Sequence, residues 1–176
     1  MRWLRHSAVA PTLGGRRWSW SPERSRSPGS SLDPADAAPR VQAAERVAAA
    51  QAATAVARTM RKAADEGAIV RSCAVVVGSF PREVRLESIL ASHALAHAAE
   101  GRLYQGALLQ GAESCGIKAV AVPKQFIWKQ GEATLGLPQD ELRRWIDGLR
   151  REVGPPWAED QKLAALAGWI TLTQVA

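Results

Sequence analysis

Cysteine is scarce in this sequence: Cys73 and Cys115 are the only two in 176 residues. Both lie inside apolar segments and neither belongs to a CxxC pair, so they indicate small buried hydrophobes in a reducing compartment. We therefore expect a cytoplasmic protein. Long hydrophobic runs are also lacking, since none approaches the roughly 18 residues that cross a bilayer. This excludes a spanning helix and predicts no membrane partner.

Several catalytic signatures are missing as well. The sequence has no P-loop, no GxGxxG following a strand and no GxSxG elbow. It therefore lacks the signatures of the common nucleotide-binding proteins and serine hydrolases. Glycine does recur at every fifth position of one segment, at Gly101, Gly106, Gly111 and Gly116. Because these glycines fall within or at the end of a predicted helix, they are expected to permit close packing.

The net charge of +6 is unevenly distributed along the chain. Residues 1–40 hold seven Arg against three acidic residues, whereas residues 41–176 hold sixteen Lys and Arg against fourteen acidic residues. The second part, which we predict to be the folded domain, is nearly neutral. The basic charge of the whole chain is therefore weak evidence for a nucleic-acid partner.

Residues 1–40 are rich in Arg, Ser and Pro and show no periodicity, which predicts a disordered basic tail. Two interpretations of this tail are open. Arg-rich, Ser-rich and acid-poor segments are typical of transit peptides. A start codon assigned too early in GC-rich DNA would give the same composition. Because Met60 is the only other methionine, a start near the domain would then use a non-Met codon such as that of Val41.

A strand, a long helix and a second strand are predicted between residues 69 and 123. The strands, Ile69–Val77 and Ile117–Val122, are short and β-branched and end at turn residues. The helix between them, Ser88–Gly116, is rich in Ala and Leu and ends in a glycine. Strands joined by a helical crossover are parallel. Two strands are too few for a stable sheet, so further strands must come from this chain or from a partner.

Helical periodicity predicts three further helices, over Val41–Glu66, Leu137–Gly154 and Trp157–Thr173. The first carries a stripe of mostly small residues suited to close packing on the sheet: Val41, Ala44, Ala48, Ala52, Val56, Met60 and Ala63. The last turns four apolar residues inward: Leu163, Leu166, Ala167 and Ile170. Val84 and Leu86 alternate with charged residues, which fits either a short third strand or an extended lead into the central helix.

Basic and aromatic residues alternate directly after the second strand, at Lys124, Phe126, Trp128 and Lys129. Single-stranded nucleic acid is held in this way, with bases stacked on rings and phosphates on Lys. The pattern therefore predicts a nucleic-acid contact. In the alternative interpretation, which we favour, Phe126, Ile127 and Trp128 anchor a short helix on the core.

His93, His97 and Glu100 share one face of the central helix. Two imidazoles and a carboxylate on one face are a candidate divalent-metal site. However, Ala94 stands where the two-His zinc helix places its general base, and no further His is present outside the tail. These gaps favour a semi-buried polar stripe that faces a neighbouring element.

The order of helix, strand, long helix, strand and helices resembles the back half of an RNase H-like domain, above all the RuvC-type Holliday-junction resolvases. The stretches that carry the resemblance are ALLQGAESCGIKAVAVPKQF (residues 107–126) and EDQKLAALA (residues 159–167). It covers residues 41–176 as a pattern, without a diagnostic motif. The family's opening β-hairpin strands have no counterpart here.

The resemblance implies carboxylates around Mg²⁺ or Mn²⁺, and three acidic residues are candidates for catalytic roles: Asp160, Glu100 and Glu87. Asp160 matches one acid of the family's last helix, but Leu163 stands at the position of the second. The family's first-strand aspartate has no counterpart, and Glu83 or Glu87 would have to replace an acid that is missing at the end of strand Ile69–Val77. Two-metal catalysis needs several converging ligands, so we expect no nuclease activity.

Three functions follow, in order of preference. The first is a degenerate or N-terminally incomplete RNase H-like domain of small parallel sheet and flanking helices, with weak contact to DNA or RNA and no required cofactor. The second is a non-enzymatic interaction module, which binds a protein partner or a second copy at its sheet edge, and an exposed patch along Trp145 and Trp169 would favour it. The third is a metal-dependent hydrolase that uses His93, His97 and Glu100.

Overall fold

The computed structural model describes residues 34–79 and 84–174, which form an α/β fold with many helices and a small parallel sheet. In chain order the elements are α1 (Pro34–Asp65), β1 (Ser72–Val77), α2 (Leu86–Ala91), α3 (His93–Ser114), β2 (Lys118–Pro123), a 3₁₀ turn (Lys124–Phe126), α4 (Ile127–Leu135), α5 (Gln139–Gly148), α6 (Arg150–Val153) and α7 (Glu159–Thr173). None of these helices has the length and apolar character that a membrane crossing requires.

The sheet confirms the predicted parallel pairing. β1 and β2 pair in register from Ser72 opposite Lys118 to Val77 opposite Pro123. The first strand is shorter than predicted, because Ile69 lies outside it and is exposed. Within the described ranges the sheet has two strands, so each strand has one edge without a strand beside it. Of the two alternatives for Val84 and Leu86, the short strand is not formed, because Leu86 begins α2.

The main core lies on one face of this sheet. Because strand side chains alternate between faces, Ala74 and Val76 of β1 share a face with Val120 and Val122 of β2, and all four join one apolar cluster. The helices after β2 supply the rest of this core cluster: Ile127, Ile146, Leu163, Leu166, Ala167 and Ile170. The inward face predicted for the last helix is thus confirmed.

The opposite face of the sheet is covered by α3, which contacts both strands. The predicted central helix is divided at Ser92, whose extended backbone (φ −126°, ψ 115°) separates α2 from α3. The Ser92 hydroxyl accepts a hydrogen bond from the Leu95 N–H at 3.3 Å, which caps α3. At the other end, Gly116 adopts φ 75° as predicted for a helix-terminating glycine.

The first helix differs from the prediction in its start and in its partner. It begins at Pro34, so residues 34–40 are helical and residues 1–33 of the predicted tail lie outside the described ranges. The predicted stripe is buried or half-buried from Ala48 onward, whereas Val41 and Ala44 are exposed. The stripe packs mainly on α3 and not on the sheet, because small residues face each other there, with Gly111 of α3 against Ala52.

Both cysteines are free and half-buried between these layers. Burial raises the pKa of the Cys73 thiol, because the low-dielectric surroundings disfavour the thiolate. The Cys115 thiol donates to the Ala53 carbonyl at 3.5 Å and so links α3 to α1. The two cysteines are thus less buried than the sequence predicted, although both lie within packed elements.

Candidate functional site

The segment that follows β2 presents its side chains to solvent at the carboxyl end of the sheet. Val122 and Ile127 are both fully buried, so they fix the ends of the intervening 3₁₀ turn. Lys124 and Phe126 are exposed between these two buried residues, and Phe126 is 56% exposed. The interpretation that Phe126 anchors a helix on the core is therefore wrong, while Ile127 does have that role. In parallel sheets, ligands bind outside this end of the strands.

Trp128 and Lys129 continue this surface on α4. Trp128 packs partly against the core cluster, and the Arg143 guanidinium lies 4.0 Å from its ring centroid, an attractive cation–π arrangement. Lys129 is exposed and has no ion pair with another described residue. Arg143 was missed by the sequence analysis because it belongs to α5, and no spacing rule links it to Trp128. It adds a third basic group to the predicted set.

Asp160 lies beside Lys124, with its Oδ1 atom 4.0 Å from Nζ. The structure thus brings one predicted catalytic residue to one predicted nucleic-acid-binding residue. Asp160 stands in the first turn of α7 and is 91% exposed at its side chain. A pair this exposed contributes about 0–1 kcal/mol to stability, so its main effect is on the local charge.

The other predicted catalytic carboxylates have different partners. Glu87 pairs with Arg85 at 3.6 Å at the start of α2, whereas Glu100 contacts its own neighbours on α3. No described contact joins either of them to Asp160, and Glu83, the alternative to Glu87, lies outside the described residues. Among residues 34–79 and 84–174, no group of three or more His, Cys, Asp or Glu side chains is placed to hold a metal ion.

His93 and His97 lie close together on an exposed face of α3. Their Nε2 atoms are 3.1 Å apart and their rings meet edge to face with centroids separated by 4.4 Å. The His97 Nδ1 atom is 3.6 Å from Glu100 Oε2, and the Tyr104 hydroxyl donates to Glu100 Oε1 at 3.5 Å. All four side chains are exposed, so the interpretation as a semi-buried stripe against a neighbouring element is wrong.

A groove lies along α5 and α6. It has a volume of about 340 Å³ and is lined by Glu141, Arg144, Trp145, Gly148, Leu149 and Glu152. Trp145 is 41% exposed, whereas Trp169 packs partly against the core cluster. The apolar patch anticipated along the two tryptophans is therefore centred on Trp145 alone.

Comparisons with known proteins do not indicate a function for the surface after β2, the histidine pair or the groove. No protein-family model matches the sequence, and searches among curated proteins and among solved structures gave no match.

Proposed function

We propose that this chain is an RNase H-like domain of the RuvC type that contacts single-stranded nucleic acid without cleaving it. The observation that supports the contact is the exposure of Phe126 and of the two lysines on either side of it in the sequence, Lys124 and Lys129, directly after the carboxyl end of β2. The order β1, α3, β2 and the acidic first turn of α7 support the kinship.

The chemistry of this surface suits a base and its two flanking phosphates. An exposed aromatic ring can stack on any base, which is worth about 1–3 kcal/mol per base. Lys124 and Lys129 carry point charges on flexible stems, which suit phosphate and do not read sequence. Because the buried Ile127 holds the backbone of the turn, little conformational freedom is lost when a base stacks on Phe126.

Asp160 has an electrostatic role in this proposal. Its carboxylate lies 4.0 Å from the Lys124 Nζ atom and would repel a phosphate that approaches the same lysine. Hydrolysis by two metal ions needs several oxygen ligands that converge, and Asp160 contacts Lys124 while Glu87 and Glu100 contact other residues. We therefore assign nucleic-acid binding to the described residues and no cleavage.

Changing Lys124 and Lys129 together to Ala should weaken binding to oligo(dT) and to a mixed-sequence strand by the same factor. The slope of log affinity against log salt should flatten by about 0.7 for each phosphate that is no longer neutralised. Phe126→Ala should cost affinity and leave the slope unchanged, since stacking releases no counterions. Fluorescence anisotropy of labelled strands over a salt series measures both quantities.

Lys118→Ala is the matched control, because Lys118 is an exposed lysine at the opposite end of the same strand. It should leave the affinity unchanged. Asp160→Asn should strengthen binding, since it removes the charge beside Lys124. Equal losses from Lys118→Ala and from the Lys124 and Lys129 changes would show general charge attraction and contradict a defined surface, as would absence of binding at low salt.

Protein interaction is a second candidate function, favoured by the groove around Trp145. Gly148 leaves space beside the exposed indole, and Glu141 and Glu152 line the same groove, whose basic residue Arg144 is paired with Asp140. These features fit a partner segment that carries an apolar side chain flanked by basic residues, because aromatic residues in pockets dominate interface energies and opposite charges set the approach.

Peptides selected from a displayed random library against the whole chain should share this apolar and basic pattern. Trp145→Ala should abolish their binding, and Phe126→Ala, which changes an exposed aromatic residue elsewhere, should not. Trp145 is exposed enough that its removal should leave the fold intact, which the circular dichroism spectrum checks. Selected peptides that bind the Trp145 variant equally well would place their site elsewhere on the surface.

A further inference from the structure

The separation of the two imidazoles on α3 matches the bite of a metal chelate. Ordinary metal–imidazole bonds are about 2.0–2.1 Å long. An ion placed at that distance from both Nε2 atoms, which are 3.1 Å apart, would have a nitrogen–metal–nitrogen angle of about 100°. That angle lies between the right angle of tetragonal coordination and the tetrahedral angle, so the separation of the two nitrogens suits a single ion.

Both nitrogens are also accessible and held on a regular element. His93 and His97 are one turn apart on a helix whose start is capped by the Ser92 hydroxyl, so their spacing is set by the backbone. The His97 side chain is 62% exposed, which leaves room for water molecules in the remaining coordination positions. The nucleic-acid surface is built from other elements, the 3₁₀ turn and α4, so the two sites share no residue.

Glu100 has the position of a supporting group and not of a ligand. Its Oε2 atom lies 3.6 Å from His97 Nδ1, on the side of the ring away from His93. A carboxylate there favours the tautomer with hydrogen on Nδ1, which leaves the lone pair of Nε2 free for a metal. Tyr104 donates to the other carboxylate oxygen at 3.5 Å and so orients Glu100 in turn.

We propose that His93 and His97 form a two-nitrogen chelate for a late first-row divalent ion, Cu²⁺, Ni²⁺ or Zn²⁺, oriented by Glu100. Imidazole nitrogens suit these ions and not Mg²⁺ or Mn²⁺, which prefer oxygen. The affinity order should be Cu²⁺ first, with Ni²⁺ and Zn²⁺ weaker. Because Ala94 occupies the position of the general base, the inference concerns metal binding and assigns no hydrolysis.

The test is isothermal titration calorimetry, in which the whole untagged chain is titrated separately with CuCl₂, NiCl₂, ZnCl₂ and MgCl₂. We expect one Cu²⁺ per chain, weaker Ni²⁺ and Zn²⁺ binding, and no Mg²⁺ binding. The Cu²⁺ electron paramagnetic resonance spectrum should show coupling to two nitrogen nuclei. When the free ion concentration is a hundred times the dissociation constant, an ion that binds only the folded chain shifts the folding equilibrium about a hundredfold towards the folded state.

The chain offers a matched control, since His6 is its only histidine besides His93 and His97. His93→Ala and His97→Ala should each abolish the two-nitrogen signal and the calorimetric transition, whereas His6→Ala should change neither. Glu100→Gln should weaken Cu²⁺ binding about 10–100-fold, the usual cost of losing a supporting carboxylate. Binding that survives His97→Ala, or that depends on His6, would overturn the proposal. Both histidines are exposed, so their replacement should leave the fold unchanged.

Discussion

Replacing Gly111 by alanine should destabilise the fold, although alanine is the better helix former. A Cβ atom at this position would lie 2.7 Å from the Ala53 nitrogen and 2.9 Å from the Ala52 carbonyl carbon. Both atoms are backbone, so the clash can be relieved only by moving α1 away from α3. The overpacking cost of about 1–3 kcal/mol is opposed by a gain of about 1 kcal/mol in helix propensity, so we expect a net loss of up to about 2 kcal/mol.

Gly106→Ala is the matched control, because it makes the same chemical change in the same helix. A Cβ atom at Gly106 meets nothing within 4 Å, so the propensity term acts alone and should stabilise the protein by about 1 kcal/mol. Urea unfolding followed by circular dichroism gives both free energies of unfolding. Changes of the same sign for the two variants would show that α1 and α3 do not approach as closely as the structure indicates.

Leu166→Ala should be the most damaging single truncation of the core cluster, with a loss of about 2–5 kcal/mol. Leu166 is fully buried and lies where α7 crosses α4, with its Cδ1 atom only 3.1 Å from the position of a Cβ atom at Gly131. Helices already in contact at a glycine cannot move closer to fill the cavity. Since native domains are stable by about 5–15 kcal/mol, this loss would leave little margin.

Leu90→Ala gives the comparison for this truncation, because Leu90 is the same residue type but 47% exposed. Its loss should be well below that of Leu166→Ala, since less apolar surface returns to water. The same urea series measures both variants. A cost for Leu90→Ala equal to that for Leu166→Ala would mean that the surface of α2 is covered in solution.

The sequence predicted the elements whose apolar pattern is clearest. The two β-branched strands and the inward face of α7 appear where expected, because their apolar side chains are forced inward whatever the details of packing. The break at Ser92 was not predicted, since it depends on one hydroxyl that competes with helix continuation. The packing partner of α1 was also mistaken, because a small-sided stripe fits a helix as well as a sheet.

For the candidate site, the sequence predicted which types of residue take part but not how their side chains are arranged. Basic and aromatic residues after β2 suggested a binding surface, but burial of Ile127 and exposure of Phe126 depend on where the turn places each side chain. The contacts of Asp160 with Lys124 and of Arg143 with Trp128 join separate helices, which periodicity within one helix does not reveal. The exposure of His97 was not predicted either, because it depends on which face of α3 packs against the sheet.

The position of α1 has a consequence for how the domain opens. This helix packs mainly on α3, on the side of the sheet opposite the core cluster, and contributes no residue to that cluster. Its detachment would therefore leave β1, β2 and α7 assembled. The amide hydrogens of α1 should then exchange with solvent through a partial opening whose free energy is lower than that of complete unfolding. Those of α7 should exchange only when the whole domain unfolds.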